Sequence, residues 1–143
     1  MCSSDLEPGR TAAERFGRRA VTRPFLSEME MALAAATVVV SRAGASSLAE
    51  LAAMRVPSIL VPYPAATDDH QTANAMAYAR SGAAVLLRQS DCGPERLTFE
   101  ILKLLTNPGR RESMMTALDG WKSPDAAGQI ADRLITKIGR AHV

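Results

Sequence analysis

Aromatic residues make up only 4% of the 143 residues, so a core has to be built from Ala, Leu, Val, Ile and Met. Cysteine is nearly absent. Cys2 and Cys92 show neither metal-ligand spacing nor a disulfide framework, which fits a reducing compartment. A formal charge of +2 is too small to argue for nucleic acid. Arg10, Arg15, Arg18, Arg19 and Arg23 do cluster near the start, where they suit phosphates or an anionic surface, but a solvated chain end is the commoner reading. Long hydrophobic runs are missing too. The longest, Met31 to Val40, is broken by Thr37 and is too short to span a bilayer, and Met1 to Arg10 lacks the apolar region of a signal peptide. The expectation is a cytosolic protein, or one peripheral on a membrane, with no internal repeat and no low-complexity segment.

The length allows one compact unit, or a piece of one, and is too short for two ordinary domains. The ends raise a separate expectation. Codons that encode Ile138 to His142 can be the reverse complement of codons that encode Met1 to Asp5. Residues 1–6 and 138–143 are therefore expected to derive from a sequencing adapter, with 7–137 a natural gene segment cut at both edges.

Between the ends, apolar runs alternate with amphipathic stretches as in a βαβ series. The pattern predicts strands at Ala20 to Thr22, Thr37 to Ser41, Ser58 to Pro62 and Ala84 to Arg88. It predicts helices from Ser27 to about Ala36, Ser46 to Met54, His70 to Arg80, Pro94 to Thr106, Pro108 to Leu118 and Pro124 to about Lys137. Ser27, Asp68 or Asp69, and Ser123 are the expected N-caps of their helices. Near-continuous apolar strands separated by helices imply an α/β fold, a parallel sheet covered by helices on both faces.

In such sheets ligands bind beyond the carboxyl ends of the strands, where helix N-termini offer free N–H groups. The stretch VVVSRAGASSLAE, Val38 to Glu50, is a strand, a small-residue turn and a helix start. Gly44 and Ala45 would let a phosphate approach the backbone, and Ser46 and Ser47 add hydroxyls. Glu50, three residues past Ser47 and four past Ser46, shares their helical face and can accept from a ribose diol. Ser47-Leu48-Ala49-Glu50 is equally an S-x-x-E capping box, and from these residues alone capping is the commoner use. A second strand-to-helix passage, Pro62 to Gln71 and on to Asn74, lies on the same edge of the sheet. Asp68, Asp69 and His70 are adjacent residues, a poor arrangement for a metal. The alternatives are a capped polar first turn, or hydroxyl-binding roles for His70, Gln71 and Asn74.

Phe25-Leu26, SRAGASSLAELAA, VPYP and DDHQTANA occur in one order and spacing. Over roughly residues 20 to 137 the chain thereby resembles the C-terminal domain of the bacterial glycosyltransferases that add N-acetylglucosamine to undecaprenyl-pyrophosphoryl-N-acetylmuramoyl-pentapeptide. The resemblance implies a Rossmann-like, partial C-terminal domain of a two-domain GT-B enzyme. That enzyme is inverting and metal-independent, needs no cofactor, and acts in peptidoglycan synthesis at the cytoplasmic face of the cell membrane. It implies UDP-N-acetylglucosamine as donor, and an undecaprenyl-linked acceptor engaged through an N-terminal domain that this chain lacks. It also implies the inner membrane surface as partner, no nucleic acid, and no catalytic residue within this piece. By the same resemblance Leu26 meets the uracil, Ala45, Ser46 and Ser47 hold the diphosphate beside Leu48 and Ala49, Glu50 binds ribose, and Gln71 reads the sugar. Arg42, Gly44, His70 and Asn74 are further candidates, His70 standing where relatives carry a second glutamine. Another UDP-sugar transferase of the same architecture, or a non-catalytic nucleotide-binding subunit with a membrane partner, would share most of this pattern.

Overall fold

The computed structural model describes residues 20–66, 69–123, 125, 128 and 131–136. The expected adapter-derived ends lie outside that set, as do Asp68 and Pro124. The chain divides into two units, Met1–Met31 and Ala32–Val143. The second unit carries the sheet and is described below.

Helix α1 (Met29–Ala35) is followed by strand β1 (Val39–Ser41), helix α2 (Ala45–Met54), strand β2 (Ser58–Leu60), helix α3 (His70–Arg80) and strand β3 (Val85–Leu86). A single 3₁₀ turn at Gln89–Asp91 precedes α4 (Pro94–Leu105) and α5 (Pro108–Asp119). Residues 131–136 are also helical. The three strands are parallel in the order β1-β2-β3, with Val39 opposite Ser58, and Ile59 opposite Val85. Each ladder runs one bond past its strand, through Val61 N–H to Ser41 C=O and Leu87 N–H to Leu60 C=O. Pro62, which has no N–H, follows directly.

Side chains alternate across the sheet because the strand period is two. Leu60 and Ala84 enter one core with Leu48, Leu51 and Ala52 of α2, Ala75 and Tyr78 of α3, and Leu118 of α5. Their neighbours Ile59, Val61 and Leu87 face the other side and join Leu104 of α4 and Met114 of α5, with Leu97 and Ile101 packed alongside. Helices therefore cover both faces, which is why the central strand reads as an unbroken apolar run. Leu51, Ile59, Leu60, Leu104 and Leu118 are fully buried, each contributing about 1.5–3 kcal/mol. Ser58, also fully buried, has a hydroxyl with no partner among the described residues.

Two elements depart from expectation. Ala20 to Thr22 form no strand, and Val21 is exposed: so short a run holds only if it pairs into a sheet, and the described ladders are all among β1, β2 and β3. The 3₁₀ turn after β3 was not expected, because the apolar pattern carries on to Arg88 while the strand ends at Leu86. Helix α2 closes with Arg55 in the left-handed region (φ 57°), its N–H bonding Ala52 C=O and that of Val56 bonding Leu51 C=O, a Schellman-type end made without glycine. The Arg55 side chain then pairs with Asp119 at 3.0 Å, tying α2 to α5.

Candidate functional site

Because all three strands are parallel, the turns after β1, β2 and β3 share one edge of the sheet. At the first turn, α2 starts at Ala45, with Gly44 as N-cap (φ −71°, ψ 149°) and no side-chain cap bond. The first helical bond is Leu48 N–H to Gly44 C=O. Ser47 is thus already the third helical residue, so the Ser47–Glu50 capping box is not formed. The helix begins earlier than such a box requires, and glycine takes the cap. Among the described residues, the N–H groups of Ala45, Ser46 and Ser47, both serine hydroxyls and the Glu50 carboxylate have no bonding partner in the protein, and Ala45, Ser46 and Glu50 are exposed. Three orphan N–H groups at the positive end of a ten-residue helix make a standing anion site, with a carboxylate further along it. A Cβ on Gly44 would meet nothing within 4 Å. Neither its φ nor the protein's packing calls for glycine.

Leu48 faces inward. Its side chain is 4% exposed within the core and its N–H is committed to Gly44. Ala49 is exposed. Leu26 belongs to the first unit, where it is exposed.

The second turn supplies the scaffold. Gln71 Oε1 accepts from Ala43 N–H at 3.3 Å and from Tyr63 N–H at 3.0 Å, and Asn74 Nδ2 donates to Ala43 C=O at 3.2 Å. Helix α3 therefore grips, from both sides, the fully buried Ala43 that leads into Gly44. Two N–H donors at one amide atom require that atom to be the oxygen, which leaves the Gln71 Nε2 donors facing elsewhere. Asp69 is the N-cap of α3, but its backbone is left-handed (φ 52°, ψ 25°) and its side chain makes no cap bond, so of the two expected cap residues Asp69 does not cap, and Asp68 lies outside the described residues. His70 opens the helix and is exposed.

Arg42 is a brace. Its Nη1 donates to Val61 C=O (3.1 Å), Pro62 C=O (3.2 Å) and Gln89 Oε1 (2.7 Å), and its guanidinium lies 5.5 Å from the centre of the Tyr63 ring. One side chain thus ties the ends of all three strands together. Sequence reasoning missed Gln89, although its place just past a strand's carboxyl end is the kind of position where ligands bind.

Residues 3–130 match the family described as the glycosyltransferase family 28 C-terminal domain, and the chain belongs to it. It is 46% identical over 140 residues to the UDP-N-acetylglucosamine--N-acetylmuramyl-(pentapeptide) pyrophosphoryl-undecaprenol N-acetylglucosamine transferase of Xanthomonas axonopodis pv. citri, covering 97% of this chain and 33% of that protein. The protein of the same name from Alkalilimnicola ehrlichii is 43% identical over 126 residues, covering 88% and 35%. The crystal structure of Acinetobacter baumannii MurG is similar with a TM-score of 0.76 and 31% identity, covering 96% of this chain and 42% of that one. The chain spans about a third of the length of the curated relatives it matches.

Proposed function

We propose that this glycosyltransferase family 28 domain holds UDP-N-acetylglucosamine, as the donor-binding part of an inverting transferase that moves N-acetylglucosamine to an undecaprenyl-linked acceptor (lipid I to lipid II) in peptidoglycan synthesis. The observation that carries this reading is the unspent polar set at the start of α2: three N–H groups, two hydroxyls and one carboxylate, beside a glycine that the protein's own packing does not require. In it the diphosphate lies against the N–H groups of Ala45, Ser46 and Ser47, with Gly44 giving it room, and Glu50 accepts from the ribose hydroxyls. Gln71 reads the sugar through Nε2.

The chemistry follows from that arrangement. As the bond from the anomeric carbon to the diphosphate oxygen breaks, negative charge grows on UDP. The N–H groups and the helix dipole are already aimed at that charge, so they stabilise the transition state more than the ground state. The base that deprotonates the acceptor hydroxyl belongs, in this reading, to the part of the enzyme that the relatives have beyond the matched third. An undecaprenyl-linked acceptor places the reaction at the cytoplasmic face of the cell membrane. Among the described residues no helix is long and apolar enough to cross it. Titrating the chain with UDP while following backbone amide resonances tests the reading: Ala45, Ser46 and Ser47 should move first and furthest. Saturable binding that leaves those three unmoved would refute it.

A further inference from the structure

Helix α4 is apolar on two faces. Leu97, Ile101 and Leu104 turn inward and join the cluster of Ile59, Val61 and Leu87 on the sheet, which accounts for one of them. Phe99, Leu102 and Leu105 recur every third residue on the outer side and stay 55%, 52% and 44% exposed. A helix laid on a sheet needs one apolar stripe and a polar outer face. Three large apolar side chains in line on the outside are therefore not explained by the packing of this domain. A shallow hollow of about 480 Å³ lies beside them, lined by Pro94, Glu95, Thr98, Phe99 and Leu102. Contiguous exposed apolar surface of this kind marks a contact with a protein or a membrane.

The charges around the stripe choose between the two. The Arg96 guanidinium lies 5.9 Å and the Lys103 ammonium 5.6 Å from the centre of the Phe99 ring. Both cations thus border the apolar stripe, as basic side chains do where apolar groups enter a bilayer and the charged heads stay among the lipid head groups. Arg96 also neutralises the buried Glu100, 2.8 Å away. Lys103 has no ion pair among the described residues. At the end of α4, Arg111 donates to the Leu104 and Leu105 carbonyls, so its charge is not spent on a carboxylate there. Glu95, the other acid of α4, sits in the first turn at the positive end of the helix dipole. Beyond that turn the outer face of α4 carries apolar and positive groups and no exposed acid. A shallow apolar strip edged with uncompensated positive charge complements a flat anionic lipid surface.

We infer that the outer face of α4 lies on an anionic bilayer, with Phe99, Leu102 and Leu105 entering the interface and Lys103 meeting lipid phosphates. This goes beyond the proposed function, which places the acceptor, not this domain, at the membrane. The contact would hold the nucleotide-binding domain itself at the surface from which a lipid-linked acceptor is drawn.

Co-sedimentation of the full 143-residue chain with phosphatidylcholine vesicles, with and without about a fifth of phosphatidylglycerol, tests it. The unmodified chain should bind the anionic vesicles and bind the neutral ones more weakly. Phe99→Gln with Leu102→Gln should weaken anionic binding at least about tenfold. Lys103→Gln should weaken it about fivefold and leave neutral vesicles unaffected. Arg96 is kept, because removing it would strand the Glu100 carboxylate. Phe99→Trp should restore full binding, since tryptophan suits the interface. The near-ultraviolet signal of the stacked Tyr78 and Trp121 rings, 4.1 Å apart, should be unchanged in the glutamine and lysine variants and so report an intact fold. An unmodified chain that binds neither vesicle would overturn the inference. Undiminished binding by the glutamine pair would also overturn it, by assigning lipid contact to another part of the chain. If the unmodified chain self-associates and the glutamine pair loses that association but not lipid binding, the face belongs to a second copy and the inference fails. UDP affinity, measured beside these, tests the nucleotide reading separately, and its failure would leave the lipid contact standing.

Discussion

Replacing Gln71 in two ways separates its two ends. In Gln71→Ala the N–H groups of Ala43 and Tyr63 lose their acceptor. Ala43 is fully buried, so its N–H bears most of the penalty, whereas Tyr63 is 47% exposed and water can replace the glutamine there. One buried donor left unsatisfied costs about 1–3 kcal/mol. In a domain of this size that lowers the melting temperature on the order of 5–10 °C. Ala43 leads directly into Gly44 and the start of α2, so the alanine variant should also weaken UDP. That outcome differs from a residue that touches only the sugar. Gln71→Glu keeps an oxygen for both N–H groups and deletes Nε2, so stability and UDP binding should stay close to those of the unmodified chain. UDP-N-acetylglucosamine should weaken by about 0.5–1.5 kcal/mol, roughly two- to tenfold. Calorimetry at 0.5 M salt, where the screening length is only a few ångströms, keeps the new charge from mimicking a lost contact. If Gln71→Ala keeps both its melting temperature and its UDP affinity, the scaffold role assigned to Oε1 is wrong. If Gln71→Glu binds the sugar nucleotide undiminished, Nε2 does not read the sugar.

Three further substitutions test separate parts of the structure. Gly44→Ala should leave thermal stability nearly unchanged, because φ is −71° and the space around the new methyl is open; it should lower UDP affinity several-fold, and a variant that binds UDP normally would remove the close-approach argument. Ser58→Ala deletes a buried hydroxyl that has no partner among the described residues, so denaturant unfolding should show a change between neutral and about 1 kcal/mol more stable, not a loss. Tyr78 is buried, donates its hydroxyl to Leu48 C=O at 3.2 Å and has its pKa raised by desolvation. The unfolded chain therefore ionises first, and the contribution of Tyr78 is full below the ordinary tyrosine value and is lost as pH rises from there through the raised value of the folded state. Tyr78→Phe should cost about 1 kcal/mol at neutral pH, and the gap to the unmodified chain should narrow in alkali; a constant gap would contradict the assignment.

The strand and helix sequence was legible because apolar period and punctuation agree. Val39 to Ser41 and Ser58 to Leu60 stand inside their expected runs, and His70–Arg80 was read to the residue. Boundaries failed where two local signals compete. Gly44 and Ser47 are both plausible caps three residues apart, and the extended backbone at Gly44 decided for the earlier one. Asp69 occupies the cap position but not the cap geometry, since φ is not written in residue type. The roles of Gln71, Asn74 and Arg42 lay beyond sequence reasoning for another reason. Their partners are backbone groups 8 to 31 residues away, brought within reach only once three parallel strand ends are aligned. Gln89 stayed hidden because the apolar run obscured the strand end three residues before it.

The central claim is that the start of α2 binds a nucleoside diphosphate and Glu50 its ribose, and a binding cycle tests it most directly. Affinities of the chain and of Glu50→Gln are measured for UDP and for 2′-deoxy-UDP. A charge-assisted hydrogen bond from the 2′-hydroxyl to Glu50 is worth about 1.5–3 kcal/mol, so the unmodified chain should bind the deoxy ligand roughly ten- to a hundredfold more weakly. In Glu50→Gln that penalty should largely disappear. An equal penalty in both proteins, or no penalty in the unmodified one, would contradict the account.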